Sequence, residues 1–345
     1  MRNNPVDIKN LSKEELADHL KAIGAEPYRT RQILGWLFRK GVKSFDEMTD
    51  IPADLKTRLK SNFRLPHFVT VDSKRSRLDG TTKYLFRLED GNTIETVFLP
   101  ENSRATVCLS SQVGCKYACS FCASAPFGFV RNLAASEILE EVLQLESKNP
   151  SKPITNLVFM GIGEPLDNYE NALKAIRIFN DKDAFNIGAR RITISTCGLI
   201  PAMKKLAGEG LQVELSVSLH SAIDAVRSIL VPINKKYPLK DLLPACREYV
   251  EKTNRIITFE YIMIKDVNSS REDAIALAKL LKGLKCKVNT ILFNQVKAID
   301  YFPPSKEEAG LFMKTLKAGG VNAIQRKPRG ADIDAGCGQL RIARI

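Results

Sequence analysis

The sequence predicts an α/β protein: an open or partial β/α barrel of the (β/α)6 type, carrying a small N-terminal helical domain and a β-hairpin extension. Three observations lead there. Apolar strand-like runs alternate with helical ones from residue 154 onward, a helix-start signal opens the chain, and the turn Asp90-Gly91-Asn92 separates two β-like runs.

The first element begins at Ser12, which forms a capping-box pair with Glu15; Leu16, Leu20 and Ile23 follow at helical spacing and Gly24 ends the pattern. A second helix is expected over 29–40, with Ile33, Leu34, Leu37 and Phe38 inward and Gly41 as its stop. A third lies near 52–59. Together they make a domain over 1–64 rich in basic side chains, among them Arg29, Arg31, Arg39, Lys40, Lys43, Lys56, Arg58 and Lys60. It reads equally as an RNA-touching appendage and as a solvated helical face. Residues 65–100 form the hairpin extension, with strands over 82–88 and 93–99. The rest, 101–345, is the barrel. Its strands are expected at 154–160, 191–196, 213–219, 257–264, 288–294 and 321–326, and its helices at 134–146, 169–180, 239–251, 271–281 and 306–317. Parallel strands joined by right-handed crossovers collect ligands at their C-terminal ends.

Composition narrows the function classes. Hydrophobic content of 44% with 26% charged residues excludes disorder and fits a globular enzyme. The excess of 52 basic over 39 acidic side chains, +13, favours a polyanionic partner such as nucleic acid. The N-terminal stretch has no apolar core of signal-peptide length and no run is long enough to span a bilayer, so a cytoplasmic protein with no membrane partner is expected. In a reducing compartment, eight cysteines read as ligands, catalytic thiols or core residues rather than as a disulfide framework.

Cys115, Cys119 and Cys122 form a C-x-x-x-C-x-x-C run. Three thiolates in so short a loop can hold three irons of a 4Fe-4S cluster and leave the fourth iron open to a small molecule. Zinc is the rival, but structural zinc wants four ligands; there is no second knuckle, and His19, His67 and His220 are all distant in sequence. Downstream, polar residues sit where strands give out: Met160-Gly161-Ile162-Gly163-Glu164-Pro165, Ser195-Thr196-Cys197-Gly198, Ser218-Leu219-His220-Ser221 and Asn294-Gln295. Each alone suits a helix cap or turn; four at successive strand ends point to a site. The glycines of the first group allow close backbone approach to a ligand. Cys337 lies between Gly336 and Gly338, which keep a thiol approachable, and Cys108 precedes the triad closely. Cys197, Cys246 and Cys286 read as core or incidental.

Taken together, the blocks YRTRQILGWLF, IETVFLPE, SSQVGCKYACSFCA, GFVRNLAASEI, FMGIGEPLDN, RRITISTCG, SVSLH, VPINKKYP, EYIMIKDVN and RGADIDAGCGQL closely resemble, in order, the radical S-adenosylmethionine RNA methyltransferases of the RlmN and Cfr type, which methylate adenine ring carbons. Pro165 after Gly163-Glu164 and the wording of the blocks are more similar to RlmN, which acts on carbon 2, than to Cfr, which acts on carbon 8. The resemblance implies a radical SAM barrel in which Cys115, Cys119 and Cys122 hold the cluster. Gly163, Glu164, Ser195, Ser218, Leu219, His220 and Asn294 would contact S-adenosylmethionine, used twice per turnover. Cys337 would carry the methyl group as S-methylcysteine; Cys108, its partner thiol, would help remove the ring proton or resolve the RNA link by a disulfide with Cys337, and Glu95 matches the proton acceptor. It implies ribosomal RNA and transfer RNA as substrates, an electron donor such as flavodoxin, and a monomer. Arg190-Arg191, Lys235-Lys236, Arg326, Lys327 and Arg329 are candidates to steer phosphates, Arg329 equally a brace for the Cys337 loop. The rival readings are a carbon-8 methyltransferase and a non-catalytic iron-sulfur or zinc RNA-binding module.

Overall fold

The computed structural model describes residues 5–296 and 299–341. Its frame is one ten-stranded sheet whose strands lie side by side in chain order. These are β1 (Val69–Arg75), β2 (Thr82–Arg87), β3 (Thr93–Glu101), β4 (Arg104–Cys108), β5 (Ile154–Phe159), β6 (Ile192–Thr196), β7 (Glu214–Ser218), β8 (Ile257–Met263), β9 (Cys286–Leu292) and β10 (Ala323–Gln325). The first four form an antiparallel meander. From β4 onward every neighbour is parallel. The sheet stays open, with β1 and β10 at its ends, so the barrel is partial as expected.

Two differences from the sequence reading carry weight. First, β4 is itself a barrel strand, so the parallel set begins one unit earlier than the alternation suggested. Its alternating burial is hidden in a five-residue run, RATVC, too short for period-2 patterning to register. Second, the hairpin is continuous with the barrel through β3 and β4, which pair from Val97↔Cys108 to Glu101↔Arg104.

The helices are α1 (Lys13–Ala22), α2 (Arg29–Leu34), α3 (Ala53–Asn62), α4 (Ala135–Lys148), α5 (Tyr169–Asn180), α6 (Ile200–Leu206), α7 (Asp224–Leu230), α8 (Leu239–Thr253), α9 (Arg271–Leu281) and α10 (Lys306–Ala318); α6 and α7 stand where none was expected, the others at the expected places. The Ser12–Glu15 capping box closes in both directions, at 3.1 and 2.6 Å. Short α6 and α7 gave too few turns for a sequence period. The helix expected over 29–40 is α-helical only to Leu34 and continues as a π-helix, Gly35–Arg39. That widening has a cause: Trp36, Leu37 and Phe38 are consecutive and all buried, and a π-turn spaces residues through a smaller angle than an α-turn does.

The helical N-terminal segment is anchored to the barrel by a buried polar knot. Lys9, 1% exposed, pairs with Glu140 of α4 and donates to Pro66 O at 2.5 Å. Glu140 also meets His67 Nδ1 at 3.2 Å and accepts from Gln144 at 2.8 Å. Burial alone pushes this carboxyl up, but His67 and Lys9 outweigh it and hold Glu140 below its ordinary value. Among the basic side chains of this segment, Arg58 pairs with Asp54 and Lys60 with Asp46, while Arg39 is tied to the backbone of Lys182 and Ala184. A single apolar cluster runs from Leu16 and Phe38 through Leu139 and Phe159 to Phe312. Among the described residues, no helix is long and apolar enough to cross a membrane.

Candidate active site

The C-terminal ends of β5 to β8 converge on a cleft of about 940 Å³ of atom-free space, its open mouth included. The β5 loop is built on two glycines with no room for a side chain. A Cβ on Gly161 would stand 2.5 Å from Leu109 O, and one on Gly163, whose φ is +105°, would stand 2.6 Å from Gln112 Cβ. The close approach those glycines serve is therefore to the chain leaving β4. Gln112 then fixes the next residue, accepting the Glu164 N–H at 2.9 Å. The Glu164 carboxylate, buried, accepts from Leu166 N at 3.0 Å and Cys197 N at 2.7 Å, which locks the β5 and β6 loops together.

The β7 end is braced from beneath. Arg227 of α7, fully buried, donates to Leu219 O, Cys197 O, Ser218 O and Asn234 Oδ1 at 3.1, 2.9, 3.1 and 2.6 Å. His220 sits at φ +58°, costly for a residue with a Cβ, and is held there by several contacts. Its Nδ1 accepts the Ile262 N–H at 3.0 Å, its carbonyl accepts from Asn268 Nδ2 at 2.6 Å, and Phe121 packs edge-on against the ring at 4.5 Å between centroids. With Nδ1 accepting, the ring hydrogen is on Nε2.

The three loop cysteines line this cleft together with Gly163, Glu164, Ser195, Ser218 and His220. The distant Cys337 segment is docked on the cysteine loop: Ala123 N donates to Gly338 O and Ser124 Oγ to Leu340 O, both at 2.7 Å. A Cβ on Gly336 would stand 2.5 Å from Asn294 Nδ2 and one on Gly338 would stand 3.3 Å from Phe121 O, so the flanking glycines serve close packing. The hairpin completes the cradle. Lys83 donates to Asp334 O, Asp79 accepts from Gly330 N, and Asp332 accepts from Arg77 N, each at 3.0 Å.

Cys337 also lines a second, adjoining cavity with Cys108, Asn294, Arg326, Lys327 and Arg329. All eight cysteines are free, so the expected Cys108–Cys337 disulfide is not present in this structure. Glu95 lines neither cavity; it pairs with Lys83 at 3.1 Å and accepts the Arg341 N–H at 2.9 Å. Leu219 is fully buried and lines neither cavity: its N–H donates to Glu260 O and its carbonyl accepts from Arg227. Arg329 pairs with Glu101 at 3.0 Å, which ties its loop to β3, and it also lines the second cavity. Cys197, read as incidental, lines the first cleft; Cys246 is core. Sequence reasoning passed over Arg227, Asn268 and Glu260. A charged or amide residue inside an apolar run, as in EYIMIKDVN, was the available signal.

Comparison with known proteins bears on this arrangement directly. Residues 109–278 match the Radical SAM superfamily and residues 6–65 match the ribosomal RNA large subunit methyltransferase N-terminal domain. Proteins named probable dual-specificity RNA methyltransferase RlmN are similar over nearly their whole length. That of Clostridioides difficile is 44% identical over 99% of both chains, and that of Thermotoga sp. strain RQ2 is 47% identical over 98% of both. The chain belongs to the RlmN family of radical SAM RNA methyltransferases. A crystal structure of a radical SAM methyltransferase from Sphaerobacter thermophilus superposes with a TM-score of 0.93 at 43% identity, covering 97% of this chain and 99% of that one. The non-catalytic RNA-binding alternative is thereby set aside.

Family membership implies S-adenosylmethionine and a 4Fe-4S cluster, and the cleft fits them. Among the described residues no three His, Cys, Asp or Glu side chains converge as the shell of one metal ion. A cubane makes a different demand, one thiolate at each of three corners. Burial raises all three thiols, Cys115 up to about 12 and Cys119 well above its ordinary value, so iron must supply the charge that makes them thiolates.

Burial, seconded by Arg227, lowers His220 to about 3 from its ordinary 6.5. The folded value lies below the unfolded one, so the unfolded chain binds the proton first. The associated stability is whole above pH 6.5 and drains as pH falls toward 3. Between pH 7 and pH 5 this one ring removes about 2 kcal/mol. His220→Asn keeps an acceptor for the Ile262 N–H and tolerates positive φ. Urea unfolding of the cluster-free chain at both pH values should show the variant losing about 2 kcal/mol less than the parent on acidification. Equal losses would place the proton elsewhere.

Proposed function

We propose that the protein methylates carbon 2 of an adenine in 23S ribosomal RNA, and in transfer RNA, through an S-methylcysteine formed on Cys337. The supporting observation is that Cys337 is a thiol shared by both cavities: it faces the cysteine-lined cleft on one side and the basic cavity containing Cys108 on the other. A carrier needs that position, within reach of a methyl donor and of an RNA base.

The need for a carrier follows from the substrate. Adenine carbon 2 is electron-poor, so it does not attack an electrophilic methyl group. When bound, the cluster and S-adenosylmethionine supply first a methyl donor and then, from a second molecule, a hydrogen-abstracting 5'-deoxyadenosyl radical. Cys337 takes up the methyl group, its S-methyl loses a hydrogen atom, and the sulfur-borne methylene radical forms the new bond to carbon 2. The RNA-bound radical gives up one electron, which the oxidised cluster would accept when bound, and its carbon-2 proton; Glu95 is the proposed proton acceptor, and to serve it must leave Lys83 and the Arg341 N–H. The Cys108 sulfur then attacks the Cys337 sulfur, forming the disulfide as the S–CH2 bond breaks, and the freed carbon takes up a proton to become the methyl group. Gly163, Glu164, Ser195, Ser218 and His220, which line the cysteine-bearing cleft, hold the cofactor; Leu219, expected with them, is packed behind the cleft, and Asn294 lines the adjoining cavity, where its Nδ2 donates to Cys337 O. Arg326 and Lys327, beside Cys108 in the second cavity, suit the phosphates of an RNA whose target base is unstacked. The reading places the protein in the cytoplasm as a monomer served by a flavodoxin-type donor. The dual-specificity name of the relatives supports transfer RNA as a second substrate.

The test is product mapping. Anaerobically reconstituted enzyme is incubated with ribosomal RNA and, separately, transfer RNA, and the digested nucleosides are compared with authentic standards. 2-Methyladenosine is expected from both; 8-methyladenosine would make it a Cfr-type enzyme, and no product from transfer RNA would restrict the substrate range.

A further inference from the structure

Glu260 stands in the middle of β8, 4% exposed, and lines the cysteine-bearing cleft but not the cavity that holds Cys108. One carboxylate oxygen is occupied: Oε1 accepts from Ser216 Oγ at 3.3 Å and from Asn289 Nδ2 at 3.0 Å. The other, Oε2, is buried with no hydrogen-bond partner. Arg326 Nη1, at 3.6 Å, is within ion-pairing range but beyond hydrogen-bonding reach. An acceptor left bare in a protein interior is costly by about 1–3 kcal/mol, more when charged, so its donor is expected from whatever fills the cleft.

We propose that Glu260 is a cofactor-binding residue, its Oε2 accepting a hydrogen bond from a ribose hydroxyl of S-adenosylmethionine. The inference rests on the cleft being the cofactor site. The cofactor's donors are an ammonium group, an adenine amino group and two ribose hydroxyls. The ammonium belongs with the open iron, at the cysteine-loop and Gly163 side of the cleft, three strands away from β8 across the sheet order. Glu260 instead lies directly across from Ser218 in the β7–β8 register and next to Ser216, amid hydroxyl and carboxylate groups that suit a sugar diol. Arg326 balances the carboxylate from the far side and, lining the neighbouring cavity beside both thiols, joins the two compartments electrostatically.

Equilibrium dialysis on the anaerobically reconstituted holoenzyme tests this with S-adenosylmethionine and its 2'-deoxy and 3'-deoxy analogues. The parent should bind at least one deoxy analogue about tenfold more weakly than the intact cofactor. Glu260→Ala should bind the intact cofactor about tenfold more weakly and lose its discrimination against that same analogue. A fold damaged merely by cavity formation would weaken all three ligands in proportion and leave the discrimination intact, which would overturn the proposal. Parental indifference to both hydroxyls would also overturn it. Should Glu260→Ala not fold, Glu260→Gln keeps an oxygen for Ser216 and Asn289 and turns an amide N–H2 to the cleft; undiminished discrimination there is the refuting result. Failure of the parent holoenzyme to bind S-adenosylmethionine at all would count against the cleft assignment itself, a result distinct from any of these.

Discussion

Cys337→Ala is expected to yield no methylated RNA at all, while the folded chain, its cluster and its Tm stay close to those of the parent. The separation of chemistry from structure follows from how the loop is held. Asn294 Nδ2 donates to the carbonyl of Cys337 at 3.3 Å, Ala123 N donates to the carbonyl of Gly338, and Ser124 Oγ to that of Leu340. These are main-chain acceptors that alanine leaves in place. Gln339 supplies two further ties, accepting from Gly336 N at 2.9 Å and donating to Gln295 O at 3.0 Å. None of these ties uses the sulfur, so under the proposed scheme its loss removes only the carrier. Cys108→Ala should behave differently. Cys108 is buried beside Val97, Ile162, Ala335 and Leu340, and its thiol is raised first by burial and then by the nearness of Cys337. Without it, methylene transfer to RNA proceeds but release does not, so a protein–RNA adduct should accumulate on denaturing gels. Nucleoside analysis and adduct quantitation read the two variants together, and full methylation by either contradicts the carrier scheme.

Much of the site was legible because radical chemistry needs residue types that stand out against a barrel's apolar strands. The three loop cysteines stood out by spacing and Gly163, Ser195 and Ser218 by position, and all of them line one cleft; Asn294, singled out in the same way, lines the adjoining cavity instead. The structure adds the physical ties that spacing cannot express. Glu164 speaks to Cys197 across two loops, and Asn268 reaches both His220 O and Ile262 O, 48 and 6 residues away in sequence. Glu260 was hidden for the opposite reason: within ITFEYIM, a carboxylate flanked by apolar and aromatic residues looks like a single interruption until its neighbours Ser216 and Asn289 are brought in from β7 and β9. The hairpin's purpose was equally invisible. Its turn was readable from Asp90-Gly91-Asn92, but its task of clasping the Cys337 loop depends on Lys83, Asp79 and Arg77 meeting residues some 250 positions downstream.

Replacing any one of Cys115, Cys119 or Cys122 by alanine is expected to remove cubane absorbance after anaerobic reconstitution and, with it, every trace of 5'-deoxyadenosine. The loop itself should persist. Cys115 N donates to Gly128 O at 2.8 Å, Ser120 N to Leu230 O at 3.1 Å and Cys122 N to Cys119 O at 3.0 Å, none of which involves a sulfur. Truncating a cysteine to alanine in a part-buried loop is a small excision, costing about 1 kcal/mol. The chemical penalty is of another order, because a three-point mount reduced to two no longer fixes which iron stays open. RNA binding supplies the internal control. The basic groups of the second cavity, Arg326 and Lys327, are not borne by the cysteine loop, so salt-sensitive RNA affinity should survive in all three variants. An alanine variant that keeps both cluster and cofactor cleavage would mean that the thiol in question is not a ligand. A parent chain that takes up tetrahedral zinc in place of iron and sulfide would remove the radical, and the S-methylcysteine route would lose its oxidising partner.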